Sequence, residues 1–364
     1  MRAARPYGAG ACVAVSALVL GCGRSYLDLA AESAPADAGS APASVDAGPP
    51  APRARAFQSC DVPGPGIDDC GPSKESCCTS LPVPAGKFIR SYDGVSCPGG
   101  PSPAPPPALG CYLSTDHWAS VSAFRLDKYL VTVARFKAFL ASIRASGWRP
   151  AEGDGRHVHL NGGRGLVEPD TGETEAGWSA AWNDDTLALD PGDNDNTVPE
   201  MSINGITWAQ AYAFCIWDGG FLPSEAEWNY AASGGEEQRV YPWSSPPQDT
   251  TVDCAHAAYT GMLDPDACVA STAFFVGAKS PAGDGRWGQA DLAGLRAEWT
   301  LDWLADYLDP CVDCATLRRP AGAVVSRAVR GYSHVGAAAP PHLLTSVRGD
   351  DSYGWNGFRC ARSP

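Results

Sequence analysis

The chain has 364 residues, 44% of them hydrophobic, enough apolar material for one large domain with appendages or for two domains. A formal net charge of −14 argues against nucleic acid as a partner, which needs Lys and Arg clustered on one face. An acidic surface is also an ordinary route to solubility, so the charge names no ligand.

Arg2 and Arg5 precede an apolar run from Ala9 to Leu20. That run is too short to cross a hydrocarbon layer of about 30 Å. It ends in Val19-Leu20-Gly21-Cys22, which has the form of a bacterial lipobox, with small Gly21 before a Cys22 thiol able to accept diacylglycerol. An ordinary signal peptide with a chance cysteine is the alternative. With Gly23 following rather than an aspartate, we expect an exported, lipid-anchored protein at the outer membrane or surface of a bacterium.

Residues 1–21 are then a lipoprotein signal peptide. Residues 22–56, rich in Ala, Pro, Ser, Asp and Gly, form a tether that cannot bury enough apolar surface to offset its ordering entropy. Residues 57–81 hold Cys60, Cys70, Cys77 and Cys78 and read as a disulfide-tied segment leading into a domain over 82–364. Fourteen cysteines are improbable in a reducing compartment and point to export. Setting aside Cys12 and Cys22 leaves an even number, as full pairing requires, though counting does not fix connectivity. Cys311-Val-Asp-Cys314 is expected to be a local disulfide, since no second CxxC lies at zinc-ribbon spacing.

Phe124 to Val131 reads as a strand running into a helix. Thr132 suits the N-cap, Phe136, Phe139, Leu140 and Ile143 share a face, and Gly147 ends the helix. Between them and the N-terminal segment, the PSPAPPP run at 101–107 reads as a stiff extended loop. Two more helices start at capping boxes, Thr207 with Gln210 and Ser224 with Glu227. The first presents Trp208, Ala211, Tyr212, Cys215 and Ile216 on one face and stops at Gly219-Gly220. From about 236 onward, Gly, Asp and Trp punctuate short apolar runs, and 40 Gly with 32 Pro leave little room for regular structure.

ITWAQAYAFCIWDGGFLPSEAEWNYAA at 206–232 resembles the central signature of the formylglycine-generating, sulfatase-modifying-factor family. Further matching blocks are Val83 to Phe88, similar to that family's opening strand, WGQADLAG at 287–294 leading to Glu298-Trp299, Arg330-Gly331, and Gly357-Phe358-Arg359-Cys360. The resemblance covers roughly 82–362. It implies an α+β, irregular fold with little secondary structure, related to C-type lectins, and a copper-dependent Cys oxidase activity. It also implies a long-range disulfide between Cys215 and Cys360.

Family enzymes follow RGGS with two redox cysteines, whose register falls here on Gly336 and Pro341. Neither can act as a thiol nucleophile or hold soft Cu(I), and no cysteine occurs between Cys314 and Cys360. Copper is therefore not expected, and no other cofactor is implied except calcium. The family's calcium string is replaced by Gly294-Leu295-Arg296-Ala297-Glu298-Trp299, which loses the amide oxygen and adds a cation. Glu298 remains a candidate ligand, with pairing to a core arginine as the alternative. A related branch of non-haem iron enzymes uses H-x₃-H-x-E, a string absent here; the nearest feature is His157-Val-His159, two imidazoles that would share a face on a strand. Ser333-His334 are too close in sequence to form a hydrolase triad.

What the family uses as an active site would then persist as a groove, with Arg330, Ser333, His334, Tyr353 and Trp355 as candidate lining. Two function classes follow. One is a non-catalytic surface protein that binds a peptide or glycan; the other is a divergent metal-dependent oxidase of the same superfamily. Visible loss of the catalytic thiols, with no visible replacement, favours the first.

Overall fold

The computed structural model describes residues 57–92, 115–184, 197–259, 268, 274–321, 325–331, 345–347 and 356–364. The chain divides into two units, 1–50 and 51–364, and all described residues lie in the second. Its strands in chain order are β1 (Ser80–Val83), β2 (Gly86–Ile89), β3 (Trp118–Val121), β4 (Phe124–Asp127) and β5 (Glu298–Trp303). After these come β6 (Cys311–Val312), β7 (Arg327–Arg330), β8 (Thr345–Val347) and β9 (Ala361–Arg362). Three α-helices, α1 (Val133–Ser146), α2 (Trp208–Trp217) and α3 (Glu225–Ala232), pack among them.

The strands form three small sheets, ordered β1-β4-β9, β2-β3-β6 and β5-β7-β8. Pairing is antiparallel except for β3 with β6, where Ala119 faces Cys311. The 83–88 run is therefore two strands rather than one. β1 pairs β4 while β2 pairs β3, and the chain changes sheet at Pro84-Ala85, where proline offers no N–H to a ladder.

The helices begin where their local chemistry places them. Thr132 Oγ1 accepts from Arg135 N at 3.1 Å, and Gly147 closes α1 at φ 70°, a left-handed value that glycine adopts without penalty. Both capping boxes of α2 and α3 are complete. The face of α2 formed by Trp208, Ala211, Tyr212, Cys215 and Ile216 is buried, and so are the other five residues of the helix. Phe214, off the predicted face, packs on Phe136, Phe139 and Phe358, so the helix runs through the core rather than along its edge.

Cys215 on α2 is bonded to Cys360, just before β9, with Cα atoms 5.4 Å apart. The remaining described pairs are local: Cys60–Cys78, Cys70–Cys77, Cys254–Cys268 and Cys311–Cys314. The Cys-rich segment at 57–81 lies against the helical core. Arg135 of α1, fully buried, donates to Ser59 Oγ and to Cys77 O and pairs with Asp218 at 2.9 Å. Arg362 completes this buried network through Asp127 at 2.9 Å and Asp218 at 2.8 Å. Two cations and two carboxylates then offset one another's desolvation, which a single buried charge could not.

Candidate functional site

Strand β7 leads directly toward the segment that carries catalysis in the resembled family. Its last residue, Arg330, has a fully buried side chain, and Gly331 follows at φ 71°. The guanidinium of Arg330 is clamped by Glu225 Oε1, to which Nε donates at 2.7 Å and Nη2 also donates. Nη2 further donates to Tyr307 Oη at 2.6 Å and to Ser91 Oγ at 2.8 Å. Glu225 is the first residue of α3, where a negative charge is favoured by the helix dipole. Its own N–H donates to Asp302 Oδ2 at 2.7 Å. Burial, reinforced by the charge of Glu225, pushes the Asp302 carboxyl up to about 7.

An outer layer surrounds this cluster. The Arg90 guanidinium lies 4.1 Å from the Tyr307 ring centre and pairs with Asp309 at 3.0 Å, and His117 reaches the same carboxylate at 2.8 Å. The space left among Arg90, Glu225, Asp302 and Tyr307 is about 10 Å³, room for about one water. Arg330 is thus a buried anchor for the root of the following segment. Its expected place as a groove-lining side chain is corrected, because the side chain is fully buried and its Nε and Nη2 donate to core partners.

The other groove candidates, Ser333, His334, Tyr353 and Trp355, lie outside the described residues, as do Gly336, Pro341 and Cys22. Cys97 and Cys111 also lie outside them.

The two weak metal candidates resolve differently from expectation. Residues 157–160 form a turn, not a strand, and His157 is fully buried between two carboxylates. Its Nδ1 lies 3.0 Å from Glu175 Oε2 and its Nε2 3.0 Å from Glu227 Oε2. Burial alone would lower the imidazole pKa, but the charges of Glu175 and Glu227 outweigh it and raise the value to about 10. Both ring nitrogens therefore carry protons, and His157 has no lone pair to offer a metal. His159 packs on Phe221 at 5.5 Å with its pKa lowered by burial. Among the described residues no group of three His, Cys, Asp or Glu side chains is placed to hold a metal ion.

Glu298 is also corrected as a calcium candidate. Arg359 grips both of its oxygens, Nε to Oε2 and Nη2 to Oε1, each at 2.7 Å, with both side chains fully buried. The neighbouring Arg296 sends its Nε to Ser202 Oγ. Hard Ca²⁺ needs six to eight oxygens, and here the one carboxylate is neutralised by a bidentate arginine. The residues present do not fit the ion.

The pattern described as a sulfatase-modifying factor enzyme 1-like domain matches residues 69–364. The chain belongs to the sulfatase-modifying factor family. Among relatives of this family member, the formylglycine-generating enzyme of Thermomonospora curvata is 28% identical over 278 residues, covering 67% of this chain and 83% of that protein. The inactive C-alpha-formylglycine-generating enzyme 2 of Mus musculus is 27% identical over 298 residues, 77% of this chain and 84% of that protein. Hercynine oxygenase of Mycolicibacterium thermoresistibile is 28% identical over 189 residues, 50% of this chain and 36% of that one. Among solved structures, PvdO from Pseudomonas aeruginosa aligns with a TM-score of 0.48 at 19% identity, over 83% of this chain and 100% of that one. The mixed architecture of short sheets and few helices is the irregular α+β fold of the family.

The family's thiol chemistry needs free cysteines, and all ten described cysteines of this member are consumed in five disulfides. Cys314 and Cys360, the nearest cysteines in sequence on either side of residues 315–359, are both buried and bonded. A Cu(I) ion has no thiolate pair available among them.

Proposed function

We propose that this family member is an exported, lipid-anchored protein that has lost the Cys oxidase reaction. In this reading it serves as a non-catalytic peptide- or glycan-binding protein at the outer membrane or cell surface. One observation carries the reading: Gly336 and Pro341 stand where the family's two redox cysteines belong, and the bracketing thiols are locked in disulfides. Oxidation of a substrate cysteine by that chemistry requires a thiolate pair to hold copper and engage the substrate sulfur. Gly and Pro side chains offer neither nucleophile nor ligand. The similarity to the inactive C-alpha-formylglycine-generating enzyme 2 of Mus musculus supports the same reading.

The test is incubation of a Cys-x-Pro-x-Arg peptide with the copper-treated mature protein, followed by mass spectrometry. The expected result is a peptide of unchanged mass. Time-dependent conversion of its cysteine to formylglycine, absent with heat-killed protein, overturns the proposal. Stoichiometric copper or iron in protein purified from membranes would instead establish a divergent metal-dependent oxidase, a reading to which the hercynine oxygenase similarity lends its support.

A further inference from the structure

A second cavity, of about 190 Å³, opens beside β7 and is walled by Trp182, Trp208, Tyr212 and Trp303, with Arg327 among its lining residues. Arg327 and Arg330 stand three positions apart on β7, so their side chains leave opposite faces of the strand. Arg330 goes to Glu225 and Tyr307, whereas Arg327 goes to the tryptophans. The cavity is therefore separate from the cluster that anchors the former catalytic segment.

Arg327 is 4% exposed and its guanidinium is stacked between two indoles, 3.4 Å from the ring centre of Trp208 and 3.6 Å from that of Trp303. Nη1 donates to Leu301 O at 2.8 Å, and among the described residues no carboxylate pairs with it. Asp302 lies near enough to act on it electrostatically, but its Oδ1 and Oδ2 are taken by the N–H groups of Thr316 and Glu225. Burial lowers the guanidinium pKa to about 9, which still leaves it protonated at neutral pH. The buried cations Arg135, Arg330, Arg359 and Arg362, by contrast, each pair with a carboxylate.

A buried cation with no hydrogen-bonded counter-ion is costly, and stacking on two indoles offsets only part of that cost. The missing partner is an anion. Flat indole faces on the walls suit the body of a ring, and a volume well below the roughly 300–1,000 Å³ of drug-sized pockets suits a body of monosaccharide or amino-acid size. The mouth carries Glu173 and Arg318, whose side chains are 65% and 60% exposed and stand 3.7 Å apart. A mixed-charge rim of this kind disfavours a second negative charge at the outer end of the ligand and accepts neutral polar groups there.

We propose that the Arg327–tryptophan cavity is a binding site for a small ring-bearing monocarboxylate, its carboxylate on the free edge of Arg327 and its ring against Trp182 and Trp303. A sugar acid and an aromatic acid share this chemistry. The site is independent of whether the family's oxidase reaction survives.

Four ligands decide the matter: glucuronate against glucose, and benzoate against benzamide, titrated into the mature protein with intrinsic tryptophan fluorescence as the readout. At least one acid should give saturable quenching, at least about tenfold tighter than its neutral counterpart. A preference for glucuronate assigns a saccharide end and a preference for benzoate an aromatic acid; either supports the site. Trp182→Leu, at a half-buried wall position, and Arg327→Lys, which keeps the charge but loses the fork, should each weaken acid binding about tenfold or more. Thermal melts establish that each variant is folded, and Trp182→Leu serves alone if the Arg327 variant is not. No saturation by either acid up to about 10 mM overturns the proposal, as do equal affinities for acid and neutral partner or unchanged acid binding by folded Trp182→Leu.

Discussion

His157 shows how far a single residue can depart from what its neighbours in sequence suggest. Spaced two apart from His159, it reads as half of a metal pair; folded, it is an imidazolium clamped by Glu175 and Glu227. Glu227 is legible as a helix-capping residue because its partner Ser224 is three positions away. Its second role is not legible, because His157 lies 70 residues earlier. Removing the cation while leaving two buried carboxylates should be severe. We expect His157→Leu to lose about 3–5 kcal/mol of stability, measured by denaturant unfolding at neutral pH. The pH dependence follows from the raised pKa. The native state holds the proton more tightly than the unfolded chain, so this contribution is complete below the ordinary value of 6.5 and is lost as pH rises through about 10. Wild-type protein should lose stability over that alkaline window and His157→Leu should lack that decline. Equal stability, or equal alkaline slopes, would show that the clamp is not ionised as described.

At the scale of elements, the helices were legible and the sheets were not. Caps at Thr132, Thr207 and Ser224 act within three residues, and the φ of Gly147 is a local preference, so sequence alone sets where α1, α2 and α3 begin and where α1 ends. The strands are short and pair across long separations, Leu126 with Ala361 for instance, and nothing in two to six residues states its partner. In α2, periodicity marks one buried face, while Phe358 and the α1 phenylalanines cover Phe214 from the other side, which local pattern does not state. The Cys215–Cys360 bond ties α2 to the C-terminal strand across a separation of 145 residues. In the chain-entropy view a loop of that size stabilises by about 4–5 kcal/mol. The double variant Cys215→Ala with Cys360→Ala, which leaves no stray thiol, should lower the free energy of unfolding by about that amount. An unchanged denaturation midpoint would refute the stabilising role.

On the scale of the whole molecule, the proposed location rests on residues 1–22, which lie outside the described part of the structure. No helix among the described residues is long and apolar enough to cross a membrane. A clickable fatty acid fed to expressing cells should label wild-type protein and not Cys22→Ala. Equal labelling of both would sink the lipid anchor while leaving the family membership untouched.

By itself the sequence determined the family, through ordered blocks of signature residues, and it determined that no cysteine stands between Cys314 and Cys360. It also determined where the helices start, because capping is short-ranged. Only the tertiary structure decided how the buried charges are paired. Glu298 binds Arg359 across 61 residues, Glu225 binds Arg330 across 105, and Arg327 is stacked on indoles with no carboxylate ion-paired to it among the described residues. The physical reason is that a charge in a low-dielectric interior is governed by whatever lies within a few ångströms of it. Packing, not chain order, determines that neighbourhood.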